Sequence, residues 1–79
     1  MSPTVLLIGS YRFFFNSREE PRCHVHIQTP EGIAKFWLEP TIALDSYHNL
    51  NSKTLKKLDA LVKEHEDEIR IAWNKHFAK

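Results

Sequence analysis

Apolar positions along this chain follow two rhythms. Residues 4–8 (TVLLI) are β-branched and apolar, Gly9-Ser10 is turn material, and residues 11–15 (YRFFF) form an aromatic run. Together they predict a hairpin with a two-residue connection. Residues 16–22 (NSREEPR) are polar, charged and broken by Pro21, as a loop requires. Residues 23–28 (CHVHIQ) then alternate, residues 29–32 (TPEG) supply a turn, and residues 33–38 (IAKFWL) alternate again before Pro40 ends the strand. This is a second hairpin. Residues 41–50 (TIALDSYHNL) fit either a short fifth strand or an irregular crossover. Beyond them the period lengthens. Leu55, Leu58, Val62, His65, Ile69 and Ala72 recur every three or four residues, flanked by Leu61 and Trp73, with Lys56, Lys57, Asp59, Lys63, Glu66, Asp67 and Arg70 on the other sides. One amphipathic helix over roughly residues 52–77 is predicted, with Asn51 or Ser52 as its cap.

The two rhythms imply an α+β fold: an antiparallel sheet of four or five strands, built as two hairpins and covered on one face by a long C-terminal helix. Strands over roughly residues 3–45 and the helix over 52–77 make residues 1–79 a single domain. Side chains alternate across a sheet, so Cys23, Val25 and Ile27 share a face with Ala34, Phe36 and Leu38, and these apolar faces meet the helix. The opposite face then carries His24, His26 and Gln28 beside Lys35, Trp37 and Glu39. Arg12, Phe14 and Asn16 join them if Tyr11, Phe13 and Phe15 point inward.

Composition narrows the classes. A chain of 79 residues buries only roughly 60% of the surface its unfolded form exposes, which leaves room for one small core. Its hydrophobic content of 42% excludes a disordered protein. A formal charge of +1 gives no bulk electrostatic case for nucleic acid, so any basic site is local. The single Cys23 rules out an internal disulfide and favours a reducing, cytoplasmic setting. The apolar run at residues 5–8 is too short for a signal-peptide core or a membrane span, and no membrane partner is expected.

The chemistry concentrates on the outward face. Arg12, Phe14, His24, His26, Lys35 and Trp37 combine rings with cations, which suits a partner protein or single-stranded RNA, and a homodimer is a further way to cover such a face. A blander reading has Trp37 and Phe14 as ordinary cross-strand stabilisers with solvated neighbours. His24 and His26 are also the groups a metal-independent ribonuclease would use as general base and general acid, with Arg12 and Lys35 holding the phosphate. A lone H-x-H supplies two of the three or four ligands zinc needs, and Cys23 points to the other face, so neither a metal nor another cofactor is expected. Phosphate-loop and nucleophile-elbow motifs are absent from the sequence. His65 falls on the apolar helix stripe as a core-edge histidine, and residues 63–68 (KEHEDE) form a solvated helix face.

The segments PTVLLIGSYRFFF (3–15), HVHI (24–27), AKFWLEP (34–40) and AWNKHF (72–77) resemble a small bacterial and archaeal family catalogued as domain of unknown function 4160. The resemblance spans nearly the whole chain in order and singles out Tyr11, Arg12, His24, His26, Lys35 and Trp37. Arg22-Cys23 stands where that family usually has Pro-Pro. The resemblance implies a toxin–antitoxin component, commonly encoded beside another small protein. Two expectations follow: a non-enzymatic module component whose outward sheet face binds a cognate partner protein or RNA, or a ribonuclease toxin acting through His24 and His26.

Overall fold

A computed structural model describes residues 4–16 and 21–77. The start of the predicted strand region at residue 3 and most of the predicted charged loop, residues 17–20, lie outside the described residues. Five strands run in the order β1 (Thr4–Ile8), β2 (Tyr11–Phe14), β3 (His24–Gln28), β4 (Ile33–Trp37) and β5 (Ala43–His48), each antiparallel to the next. Two helices follow, α1 (Ser52–Glu64) and α2 (Glu66–His76). The α+β architecture, with helix packed on one sheet face, is the one the two rhythms predict.

Turn chemistry explains the connections. Gly9 adopts φ +57° and lets Ile8 pair directly with Tyr11 across a two-residue turn, a backbone shape in which a side chain is unfavourable. In the second hairpin the Thr29 hydroxyl accepts from the Glu31 and Gly32 amides at 3.2 and 3.0 Å, and the Thr29 amide donates to the Gly32 carbonyl at 2.8 Å. This side-chain bonding closes the turn and buries Thr29. Within residues 41–50, Ala43–His48 form the fifth strand, so the sheet continues past the predicted limit near residue 45. Asp45 is a bulge residue there: Ser46 faces Lys35 while Leu44 faces Phe36.

The inward parity is as expected. Phe13, Phe15, Cys23, Val25, Ile27, Ala34, Phe36 and Leu38 form one cluster with Leu58, Val62, Ile69 and Trp73 of the helices. A long helix was predicted; the helical segment bends at His65, whose φ of −107° and ψ of 20° separate α1 from α2. Backbone bonds bridge the bend, from the His65 amide to the Leu61 carbonyl and from the Ile69 amide to the His65 carbonyl, each 3.0 Å. The sheet twists, and the two halves follow it, α1 onto β4 and α2 onto β1. His65 is a half-buried, hydrogen-bonded residue, its Nδ1 lying 2.7 Å from Glu68 Oε1.

Asn51 caps α1 by accepting the Thr54 amide at 2.8 Å, which satisfies one of the helix's orphan donors. Asn51→Ala is expected to lower the unfolding free energy by about 1 kcal/mol with no change elsewhere, as read by urea denaturation.

Candidate functional site

The outward face of β2, β3 and β4 gathers Arg12, Phe14, His24, His26, Lys35 and Trp37, whereas Tyr11 packs against the core cluster with Lys57 of α1 over its ring. His26 lies between Phe14 on β2 and Lys35 on β4, and His24 is opposite Trp37. This register sets four rings in a row across three strands. Phe14 and His26 stack with centroids 5.3 Å apart and planes 22° from parallel. His26 meets His24 edge-on at 5.5 Å, and His24 meets Trp37 edge-on at 5.4 Å. Cations close both ends of the row. The Arg12 guanidinium stands 4.6 Å over Phe14, while Arg22 at 4.1 Å and Lys35 at 4.4 Å stand over Trp37.

Polar groups fix the row in place. Trp37 Nε1 donates to Asp45 Oδ1 at 3.0 Å, and Lys35 Nζ lies 3.7 Å from the other oxygen of that carboxylate. Arg12 Nε donates to the Thr4 hydroxyl at 2.8 Å and Arg22 Nε to the Glu39 carbonyl at 2.7 Å, so both guanidinium groups are held at two points. Asn16 Nδ2 donates to His26 Nε2 at 3.2 Å.

The two histidines are not equivalent. His26 is half-buried on the outer surface, whereas His24 is 0% exposed. Its ring also touches Trp73 of α2, centroids 5.0 Å apart, so it sits in a wall of aromatics reaching from the outer row to the helix layer. Its Nδ1 lies 2.6 Å from the Arg22 carbonyl. A carbonyl can only accept, so Nδ1 carries the hydrogen. The face is therefore less bare than alternation implied: Phe14, outward by parity, is only 8% exposed beneath Arg12 and beside His26.

Several contributors escaped sequence reasoning. Arg22 falls in a segment that reads as loop, and nothing in its neighbours signals a place over Trp37. Asp45 lies at the bulge of β5, which no sequence pattern announces, and its carboxylate reaches Trp37 and Lys35 on the outer face. Trp73 belongs by period to the helix stripe, yet it closes the back of His24. The charged run at 63–68 is more than a solvated face: Glu66 accepts from Arg70 Nε at 2.9 Å, and Arg70 donates through its terminal nitrogen to the Leu38 carbonyl. That bond to Glu66 raises the Arg70 pKa above its ordinary value. Cys23 lies inward, and burial pushes its thiol up to about 11, with the Arg70 charge only partly opposing the shift. The thiol is protonated at neutral pH and unreactive.

Among the described residues no cluster of three or more His, Cys, Asp or Glu side chains could hold a metal ion. No helix among them is long and apolar enough to cross a membrane. A family model described as Domain of unknown function (DUF4160) matches residues 10–74, a span containing the entire aromatic row. No curated protein and no solved structure matches the chain.

Proposed function

The chain belongs to the DUF4160 family, and from that premise we propose that it is a cytoplasmic, non-enzymatic component of a toxin–antitoxin-like module, docking a cognate partner protein on the outer sheet face. One observation carries the choice of protein over RNA: the rings of the row are already engaged by the chain's own cations and imidazoles. A nucleobase gains affinity by stacking on a ring face that water would otherwise cover. Phe14 lies under Arg12 and against His26, and Trp37 lies under Arg22 and Lys35. A stacking base would first have to displace these groups. A protein partner asks for something else, namely Trp, Tyr and Arg anchors held in fixed rotamers so that little entropy is lost on docking. Arg12 and Arg22, each tied to a ring and to an oxygen, meet that requirement at the two ends of the row. Their charge favours a partner surface carrying carboxylates.

The ribonuclease reading is less well supported, because it asks two imidazoles to reach one phosphodiester. His24 is wholly enclosed and its Nδ1 is committed to a backbone carbonyl.

Co-expression with the protein encoded beside this one, followed by affinity purification with ribonuclease treatment, is the test. A complex that survives the nuclease is expected. Arg12→Glu and Arg22→Glu should each weaken it about tenfold, since reversing a charge at an interface replaces attraction with repulsion. Lys53→Glu, on an exposed position of α1, should leave it intact. A complex indifferent to both arginine variants would overturn the proposal. So would growth arrest that vanishes in a folded His26→Ala variant.

A further inference from the structure

The last strand presents a second surface, separate from the aromatic row. β5 pairs with β4 along one side, and among the described residues nothing pairs with its other side. All six of its residues are exposed, Leu44 at 39% and Tyr47 at 55%. Such an edge offers a row of backbone donors and acceptors to any incoming strand, and natural proteins usually shield it with lysine, proline or an outlying charge. β5 (ALDSYH) contains no Lys, Arg or Pro, and its carboxylate is turned back onto Trp37 and Lys35 of its own sheet. The strand at the opposite edge, β1, packs one face against α2, while its Leu7 is 70% exposed.

We infer that β5 is a dimerisation edge whose occupant is β5 of a second copy of this chain, the two strands running antiparallel about a two-fold axis between Asp45 and Ser46. The bulge is what selects this occupant. Paired side chains in an antiparallel ladder must share a face, so a regular strand can pair with its own copy only at positions an even number apart. In β5 the extra residue places Leu44 and Tyr47 on the same, helix-side face, opposite Phe36 and Ala34, and places Asp45 with Ser46 on the outer face. A register that sets Ala43 opposite His48, Leu44 opposite Tyr47 and Asp45 opposite Ser46 is then consistent in every pair and uses the entire strand.

The contacts in that register are complementary. Leu44 of each copy meets Tyr47 of the other, covering the two largest apolar side chains β5 leaves in water. A shallow hollow lined by Phe36, Leu44, Leu55 and Lys56 opens on the same side of the edge, within reach of Tyr47 of the second copy. A foreign strand would have to match the bulge, whereas the two-fold supplies the matching bulge itself.

Sedimentation equilibrium of the full chain from about 1 to 200 μM tests the inference, a range suited to an interface at the small end of stable assemblies. The mass is expected to rise from 9.3 kDa towards twice that value. The backbone amides within residues 43–48 that face away from β4 should gain hydrogen-exchange protection over the same range. Tyr47→Glu and Leu44→Glu, both at exposed positions, should weaken association at least about tenfold with the circular dichroism spectrum unchanged. Leu7→Glu is the control, because Leu7 is 70% exposed on the opposite edge and should have no effect. A monomer throughout the range, no gain of protection at the outward-facing amides of 43–48, or association lost in Leu7→Glu but kept in Tyr47→Glu would each overturn it.

Discussion

Truncating His24 to alanine is expected to lower the unfolding free energy by about 3 kcal/mol and the melting midpoint by more than about 10 °C. The ring is fully enclosed and touches the rings of His26, Trp37 and Trp73, so removing it empties an aromatic site that the surrounding rings cannot easily fill. Truncation also strips the Arg22 carbonyl of its donor, a loss of about 1 kcal/mol for a part-buried bond. For a chain of 79 residues, with a total stability of roughly 4–12 kcal/mol, this is a large share. His26→Ala should remain within about 1 kcal/mol of the native protein, because His26 is half-buried and its contacts include a stack on Phe14, an edge contact with His24 and a part-buried bond to Asn16 at the surface. His24→Phe separates ring from donor: it keeps the aromatic volume and should recover about half of what alanine loses. Urea denaturation of the three variants checks the ranking. If His24→Ala proves no less stable than His26→Ala, then His24 is not the structural member of the pair.

That asymmetry also marks how much of the molecule was legible beforehand. Alternation placed every inward residue of β3 and β4, because a period of two is a geometric property of the strand and needs no tertiary knowledge. The same parity brought Arg12, Phe14, His26, Lys35 and Trp37 to one surface, as the registers of β2, β3 and β4 show. Exposure on that surface was not legible. Parity gives the direction in which a side chain leaves the sheet, but burial depends on what else arrives there. Arg12 comes to lie over Phe14 and Trp73 against His24 through cross-strand and cross-layer placements that no local pattern encodes. The break at His65 was hidden because the 3.6-residue period continues through it. β5 was ambiguous because its bulge puts Leu44 and Tyr47 three residues apart on one face, which breaks the strand period of two.

The other large effect is expected at Gly32, where alanine should cost about 3–4 kcal/mol and detach the end of β5. Gly32 is not needed for an unusual φ; it is needed for room. A Cβ built there would overlap the backbone carbonyl oxygens of His48 and Asn49, and neither can rotate away as a side chain could. The turn and the end of β5 are already locked together on that side: Asn49, at φ 60°, donates from Nδ2 to the Glu31 carbonyl at 2.6 Å, and Ile33 pairs with His48. Relieving the overlap means pushing residues 48 and 49 outward, which adds the loss of that hydrogen bond to the overpacking. Gly9→Ala provides the contrast, because nothing lies within 4 Å of its added Cβ and only the left-handed backbone is penalised, by about 1–2 kcal/mol. Hydrogen exchange should show the difference in place as well as in size. Gly32→Ala should deprotect the β4–β5 ladder from the His48 end and weaken self-association with it, while Gly9→Ala should affect only the β1–β2 turn. An alanine at position 32 that is better tolerated than one at position 9 would mean that the turn and the end of β5 are not in the close contact from which both the strand's register and its pairing with a second copy are argued.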